Sequence, residues 1–179
     1  CDDRPPVPFE LVSINTGSTP NTSGVPGATG NVVPVKPINN FLDRWEALSA
    51  RAMAHEGPLS IAVVGAGAGG VEILLAIQHR LGELRAAAGK PADNINFHLF
   101  NNAADILPTH NATARRTFMD VLQRRGVNLH LGTNIVEMRA ATADDLQDNG
   151  MSAPIEQGKP VSAPSGEPAK GIWVKATNG

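Results

Sequence analysis

Near the middle of the chain, a run of small residues directly follows an apolar stretch, and this order is typical of phosphate-binding turns. Residues 61–64 (IAVV) are consecutive aliphatic side chains, and residues 65–70 (GAGAGG) carry the spacing Gly-x-Gly-x-x-Gly. A stretch with helical spacing begins at Val71. A strand, a glycine turn and a helix start in this order indicate a dinucleotide-binding βαβ unit, whose pyrophosphate lies on free N–H groups at the positive end of the helix.

The three motif glycines have separate physical roles in such a unit. Gly65 permits the tight turn, Gly67 leaves room for a pyrophosphate beside the backbone, and Gly70 lets the helix pack closely on the strand. The alternative is a tight strand–helix turn that binds no ligand. We favour cofactor binding because the motif lies between a strand and a helix. The predicted cofactor-binding turn consists of Gly65, Ala66, Gly67, Ala68, Gly69 and Gly70.

Charge and composition exclude several other classes of protein. The 179 residues carry a formal net charge of −2, which argues against a nucleic-acid-binding surface. A single cysteine, Cys1, excludes a disulfide within the chain and a redox-active cysteine pair. No apolar run reaches the roughly 18 residues of a membrane span. We therefore expect a cytoplasmic protein with no transmembrane segment and no nucleic-acid partner.

Apolar periodicity predicts alternating strands and helices along most of the chain. The predicted strands are residues 9–15, 60–65, 95–100, 127–131, 135–139 and 172–176, and the predicted helices are 38–55, 69–88 and 112–125. Asn39 or Asn40 is expected to cap the first helix, and residues 140–170 to form a long polar loop. The order predicts an α/β fold, a Rossmann-like three-layer domain with a central parallel sheet and a β-meander.

Four segments resemble one family of flavoproteins. Residues 11–20 (LVSINTGSTP) are similar to the strand and ATG-x-x-P signature of an FAD domain, and residues 33–38 (VPVKPI) to the hinge that follows it. Residues 61–72 resemble the VVGGGxxGVE motif, and residues 105–108 (DILP) the exit from the second strand. The chain thus resembles the pyridine nucleotide-disulfide oxidoreductase superfamily of two-dinucleotide-binding-domain flavoproteins, in its type II NADH dehydrogenase-like branch, and is most like the flavoprotein part of selenide, water dikinase fusions.

This resemblance implies a domain organisation and a function. Residues 1–37 would be a piece of an FAD domain with its hinge, and residues 38–179 the NAD(H)-binding domain, both cut from a longer protein. In that protein NADH or NADPH would deliver hydride to FAD, and a quinone or another acceptor would take the electrons, at the inner face of a membrane if the protein is peripheral. The fragment alone is expected to be inactive. The alternative is a non-catalytic nucleotide-binding regulatory module fused to a selenide, water dikinase-like partner.

The resemblance also suggests roles for individual residues outside the glycine turn. Thr16 and Gly17 would contact flavin in the full-length protein, or else form only a turn. Glu72 would lie near the flavin–nicotinamide junction, or else be a first-turn carboxylate that favours the helix dipole.

Coenzyme preference is expected to depend on the end of the second strand. Asn101, followed by Asn102, occupies the place where an acidic residue would grip the adenosine ribose, and an amide excludes a 2′-phosphate less strongly than a carboxylate. Relaxed discrimination between NADH and NADPH is therefore expected. Arg115 or Arg116 could clamp a 2′-phosphate, although a solvated helix face is the alternative. No catalytic side chain and no metal site are expected, since the cofactors carry the chemistry.

Overall fold

The computed structural model describes residues 5–13, 21–91, 94–141, 160–162 and 171–178, and these contain three helices and six strands. In chain order they are α1 (Ile38–Ala54), β1 (Leu59–Val64), α2 (Ala68–Ala87), β2 (Ile95–Phe100), α3 (Ala112–Arg124), β3 (Asn128–His130), β4 (Thr133–Ala140), β5 (Pro160–Ser162) and β6 (Gly171–Asn178). No helix in the described ranges is both long and apolar enough to cross a membrane.

A parallel three-stranded sheet forms the centre of the fold, with β2 between β1 and β3. Val64 pairs with Phe100, and Phe100 pairs with His130, so that the carboxyl ends of all three strands meet at one edge. The connections through α2 and α3 make this the predicted Rossmann-like α/β architecture, which is confirmed. The strand β2 has the predicted bounds.

The three helices contribute to one core on a single face of this sheet. Alternate residues of β2, including Phe97 and Leu99, point to that face because side chains alternate along a strand. Leu74 and Leu81 of α2 and Leu122 of α3 pack in the same core, and all three are fully buried. The glycine turn and the start of α2 are therefore supported by this core.

A buried arginine on α2 donates a hydrogen bond to the end of α1. The Arg85 side chain is 1% exposed, and its Nε donates to the carbonyl of Pro91 at 2.7 Å. Its Nη1 donates to the carbonyl of Ala52 at 2.9 Å, and Lys90 Nζ donates to the carbonyl of Met53. The carbonyls of Ala52 and Met53 belong to the last turn of α1, where no backbone N–H remains to bond them and where positive charge is favourable.

The strands after β3 form a second, antiparallel sheet in the order β4–β6–β5. The predicted antiparallel strands are thus present, but β6 lies between β4 and β5 instead of at the end of a sequential meander. The strand β5 falls inside the range predicted as a loop, because its three residues are too short to show an alternating pattern. A small core of Ala28, Met138 and Val174 covers this sheet.

Two local predictions were wrong. Residues 9–13, from the strand predicted over 9–15, are not in a strand, and the last two lie outside the described residues. The Leu11 side chain is 92% exposed, so nothing here buries the apolar face that suggested a strand. The helix α1 begins at Ile38 after Pro37, whose side chain cannot accept a hydrogen bond, so neither Asn39 nor Asn40 is its N-cap.

Candidate functional site

The turn after β1 requires glycine at its first position. Gly65 has a φ of +103°, a region that residues with a side chain rarely adopt. Its N–H donates to the carbonyl of Phe100 at 2.8 Å, which joins the turn to the end of β2. The chain thus reverses direction at the edge of the sheet where the parallel strands end, the usual ligand-binding edge of such folds.

The start of α2 presents a set of backbone N–H groups. Gly67 is the N-cap, and the hydrogen bond from Val71 N to Gly67 O, at 3.1 Å, begins the helical ladder. The N–H groups of Ala68, Gly69 and Gly70 therefore have no backbone acceptor among the described residues. Together with the helix dipole, these donors form a site suited to an anion such as a pyrophosphate.

Gly67 and Gly70 are surrounded differently. A Cβ added at Gly70 would overlap the carbonyl oxygen of Gly65 and lie 3.0 Å from its carbonyl carbon, so the fold itself requires glycine there. A Cβ added at Gly67 would meet nothing within 4 Å, and the backbone there has a φ of −71° and a ψ of 178°, which any residue adopts. The fold gives no reason for glycine at this exposed position, whereas a ligand lying against the backbone would.

The loop after β2 forms the second side of the glycine turn. Ala66 is fully buried, its N–H donates to Asn101 Oδ1 at 3.2 Å, and its carbonyl accepts from Leu107 N at 2.8 Å. Leu107 is 2% exposed and has a φ of +49°, a strained conformation that this contact helps to hold. Both polar groups of the Ala66 peptide are thus bound to this loop and are unavailable to a ligand.

The Asn101 side chain is buried in this arrangement. It is 9% exposed, and its Nδ2 donates to the carbonyl of Asp105 at 2.8 Å and, at 3.4 Å, to that of Ala103. Its own backbone bonds His130 on β3 through the N–H and Thr133 on β4 through the carbonyl. Asn102, by contrast, is exposed. The sequence pattern gave no sign of the contacts with Ala66, His130 and Thr133, because they join residues far apart in the chain.

The other predicted site residues have different outcomes. Glu72 is exposed on α2, but the helix begins at Ala68 and no acidic residue lies in its first turn, so the first-turn alternative for this carboxylate was wrong. Its place at a flavin–nicotinamide junction stays a prediction. Thr16 and Gly17 lie outside the described residues.

Arg115 lies on α3 and contacts Asp105 in the loop that follows Asn101. Its Nε lies 3.5 Å from Asp105 Oδ2, with side chains that are 34% and 47% exposed. The helix α3 that carries it is capped by Asn111, whose Oδ1 accepts from Ala114 N at 2.9 Å. Such a half-exposed ion pair contributes at most about 1 kcal/mol, so this arginine can exchange its partner for another anion. Arg116 is exposed.

A family model described as pyridine nucleotide-disulphide oxidoreductase matches residues 3–156 of this chain. The match covers the glycine turn, the loop after β2 and the whole parallel sheet. The chain belongs to this family. The superfamily predicted from the sequence is therefore confirmed. Among curated protein sequences, none matches this chain significantly.

Solved structures with this fold include NDH2 from Plasmodium falciparum in complex with NADH. That match has a TM-score of 0.52 and 19% identity, and covers 66% of this chain and 26% of NDH2. The water-forming NADH oxidase from Lactobacillus brevis, bound to NADH, matches with a TM-score of 0.45 and 17% identity over 71% of this chain and 24% of the oxidase. The chain thus spans about a quarter of the length of these proteins.

On the sheet face opposite the helices, this family member holds two stacked histidines, of which His98 is buried and His130 is half-buried. His98 Nδ1 and His130 Nε2 share a hydrogen bond of 3.2 Å, and the His130 ring stacks on Phe100 with centroids 4.3 Å apart. Burial, and secondly the charge of His130, lower the pKa of His98 to about 4, and burial lowers the pKa of His130. Within the described ranges, no group of three or more potential ligands is placed to hold a metal ion.

Proposed function

We propose that this chain is the nicotinamide-dinucleotide-binding part of an FAD-dependent oxidoreductase. The supporting observation is Gly67, a glycine that neither backbone conformation nor packing demands, next to three N–H groups at the start of α2 that have no backbone acceptor in the described part of the chain. Membership of the pyridine nucleotide-disulphide oxidoreductase family supports the same function. The protein NDH2, which shares the fold, has been solved with NADH.

The residues present fit a dinucleotide. The N–H groups of Ala68, Gly69 and Gly70 would hold the pyrophosphate, and the helix dipole of α2 adds the equivalent of about half a positive charge at that point. Open space at Gly67 lets the ligand reach these donors. When bound, NADH or NADPH supplies a hydride, and the FAD of the whole protein accepts it.

The remaining parts of this proposal concern the whole protein. Residues 1–37, including Thr16 and Gly17, would contribute one edge of an FAD site, and residues 38–179 would form the coenzyme-binding domain. Glu72 would lie where flavin and nicotinamide meet. A quinone is the proposed electron acceptor, and the cytoplasm, or the inner face of a membrane, the proposed location. Because the chain spans 26% of NDH2, most of the catalytic machinery would be supplied by the rest of the protein.

Gly67→Val in the full-length protein tests coenzyme binding directly. The new side chain fits the extended backbone and the open space, so folding should be unaffected, but it would occupy the position of the pyrophosphate. We expect NADH and NADPH affinities, measured by calorimetry, to fall at least about tenfold, or about 1.4 kcal/mol. Gly24→Val is the matched control, since Gly24 is also exposed, with nothing within 4 Å of an added Cβ.

Two outcomes would change the assignment. Equal coenzyme affinity in Gly67→Val and Gly24→Val would show that the glycine turn is only a structural turn. The visible absorption spectrum of the full-length protein tests the second cofactor, since bound oxidised flavin absorbs near roughly 450 nm. Coenzyme binding without flavin would favour the regulatory nucleotide-binding module over the oxidoreductase.

A further inference from the structure

The structure assigns to Asn101 a positioning role: its amide holds the glycine turn in its binding geometry, and it does not itself contact the adenosine ribose. This inference rests on the proposed function. It concerns how the site is built, and it departs from the expectation that the residue at the end of β2 grips the ribose. Three features of the described residues carry it.

The first feature is that the glycine turn depends on an outside partner. Ala66 lies between Gly65 and Gly67, and its backbone N–H and its carbonyl both bond the loop after β2. One of these two bonds is made by the Asn101 side chain, across 35 residues of sequence. A shift of this loop would therefore move the backbone that presents Gly67 and the first N–H groups of α2.

The second feature is that only an amide satisfies both sides of this position. Oδ1 accepts from Ala66 N, while Nδ2 donates to the carbonyls of Asp105 and Ala103. If the amide were rotated by half a turn, its NH2 group would face the N–H of Ala66 and its oxygen would face the carbonyls of Ala103 and Asp105. These partners therefore fix the orientation of the amide. A carboxylate could keep the contact with Ala66, but its second oxygen would face the Asp105 carbonyl with no proton between them.

The third feature is burial. With 9% of its surface exposed, and with both ends of its amide bonded to backbone groups, Asn101 presents little to a ribose. The next residue, Asn102, is exposed at the same edge of the sheet. Of these two residues, Asn102 is therefore better placed for a direct contact with the adenosine half of a coenzyme.

Asn101→Asp and Asn101→Ala in the full-length protein test this role, with Asn102→Asp as the control on the neighbouring exposed position. Both changes at Asn101 should raise the KM for NADH and for NADPH by the same factor, about tenfold for a lost hydrogen bond, with kcat at saturating coenzyme unchanged. The ratio of the two affinities stays at its wild-type value. Asn102→Asp, at the exposed position, should instead change the ratio of the two affinities, because a carboxylate there would repel the 2′-phosphate of NADPH.

The opposite pattern would overturn the inference. If Asn101→Asp weakens NADPH alone and leaves or strengthens NADH, the side chain contacts the ribose directly. If coenzyme affinity is unchanged in Asn101→Ala with the fold intact by circular dichroism, the Asn101 side chain does not position the turn. Failure of the proposed function would look different, because wild-type protein would then bind neither coenzyme. In that case, thermal unfolding still tests the hydrogen bonds of the Asn101 side chain, because Asn101→Asp should be less stable than Asn102→Asp. Equal stability of the two variants would refute these bonds.

Discussion

Gly70→Ala tests whether close packing of α2 on the glycine turn is required by the fold. An added Cβ would lie 3.0 Å from the carbonyl carbon of Gly65 and closer still to its oxygen, and both are backbone atoms that cannot rotate away. To relieve the overlap, α2 must move off the turn, although Val71 and Leu74 beside it are 1% and 0% exposed.

The cost follows from these contacts. Forcing an extra methyl group into a packed site costs about 1–3 kcal/mol. Replacing glycine in a helix offsets roughly 0.5–1 kcal/mol of this, because alanine loses less backbone entropy. We therefore expect Gly70→Ala to lower the free energy of unfolding by about 1–2 kcal/mol, and Tm by roughly 5 °C. Urea titration followed by circular dichroism, without coenzyme, measures it.

Gly69→Ala is the matched control. It lies one residue earlier in the same helical turn, is exposed, and has nothing within 4 Å of an added Cβ. Helix propensity alone should keep its stability unchanged or raise it by up to about 1 kcal/mol. Equal unfolding free energies for the two variants would refute the argument, since they would show that the contact with Gly65 relaxes without cost.

Two further predictions concern buried polar side chains. The pKa of His98 is about 4 in the folded protein and 6.5 for a free histidine side chain, so the unfolded chain binds more protons between these two pH values. The stability that neutral His98 contributes is therefore fully present above pH 6.5 and is lost as the pH falls toward 4. The loss is at most about 3 kcal/mol, at about 1.36 kcal/mol per pKa unit. Urea titrations at several pH values should show that the free energy of unfolding depends less on pH in His98→Gln than in the wild type. His79→Gln, at a side chain that is 68% exposed, should behave as the wild type does. Arg85→Met should lower the free energy of unfolding by about 2 kcal/mol, because the carbonyls of Ala52 and Pro91 lose their donor. Arg80→Met, at a side chain that is 57% exposed, should change it by less than about 0.5 kcal/mol, and equal losses would contradict the role of Arg85.

The parts of the fold that could be predicted from the sequence are those with a local cause. Six consecutive residues with few polar side chains predict β2, and the change from an apolar run to glycines marks the end of β1. The conformations of Gly65 and Gly70 also follow from the motif, since one needs a positive φ and the other a missing side chain.

The parts that could not be predicted depend on partners distant in sequence. The position of β6 between β4 and β5 is a matter of which strands pair, and a local pattern carries no information about this. Asn101 illustrates the same limit within the candidate site. Its type suggested a ribose contact, whereas its burial and its bond to Ala66 appear only when the β2 end and the glycine turn are brought together.

The segment before α1 has a consequence for how small a self-sufficient piece of this protein can be. The carbonyl of Pro26 accepts from Met138 N at 2.9 Å, and Ala28, 3% exposed, packs with Met138 on the antiparallel sheet. A Cβ at Gly27 would overlap the Met138 carbonyl, so the two chain segments lie in direct contact. Removing residues 1–37 would take away the side chains that cover Met138 on β4, and the exposed apolar surface would favour self-association. The minimal folding unit therefore includes residues 25–37, which lie in the stretch whose sequence resembles the neighbouring domain.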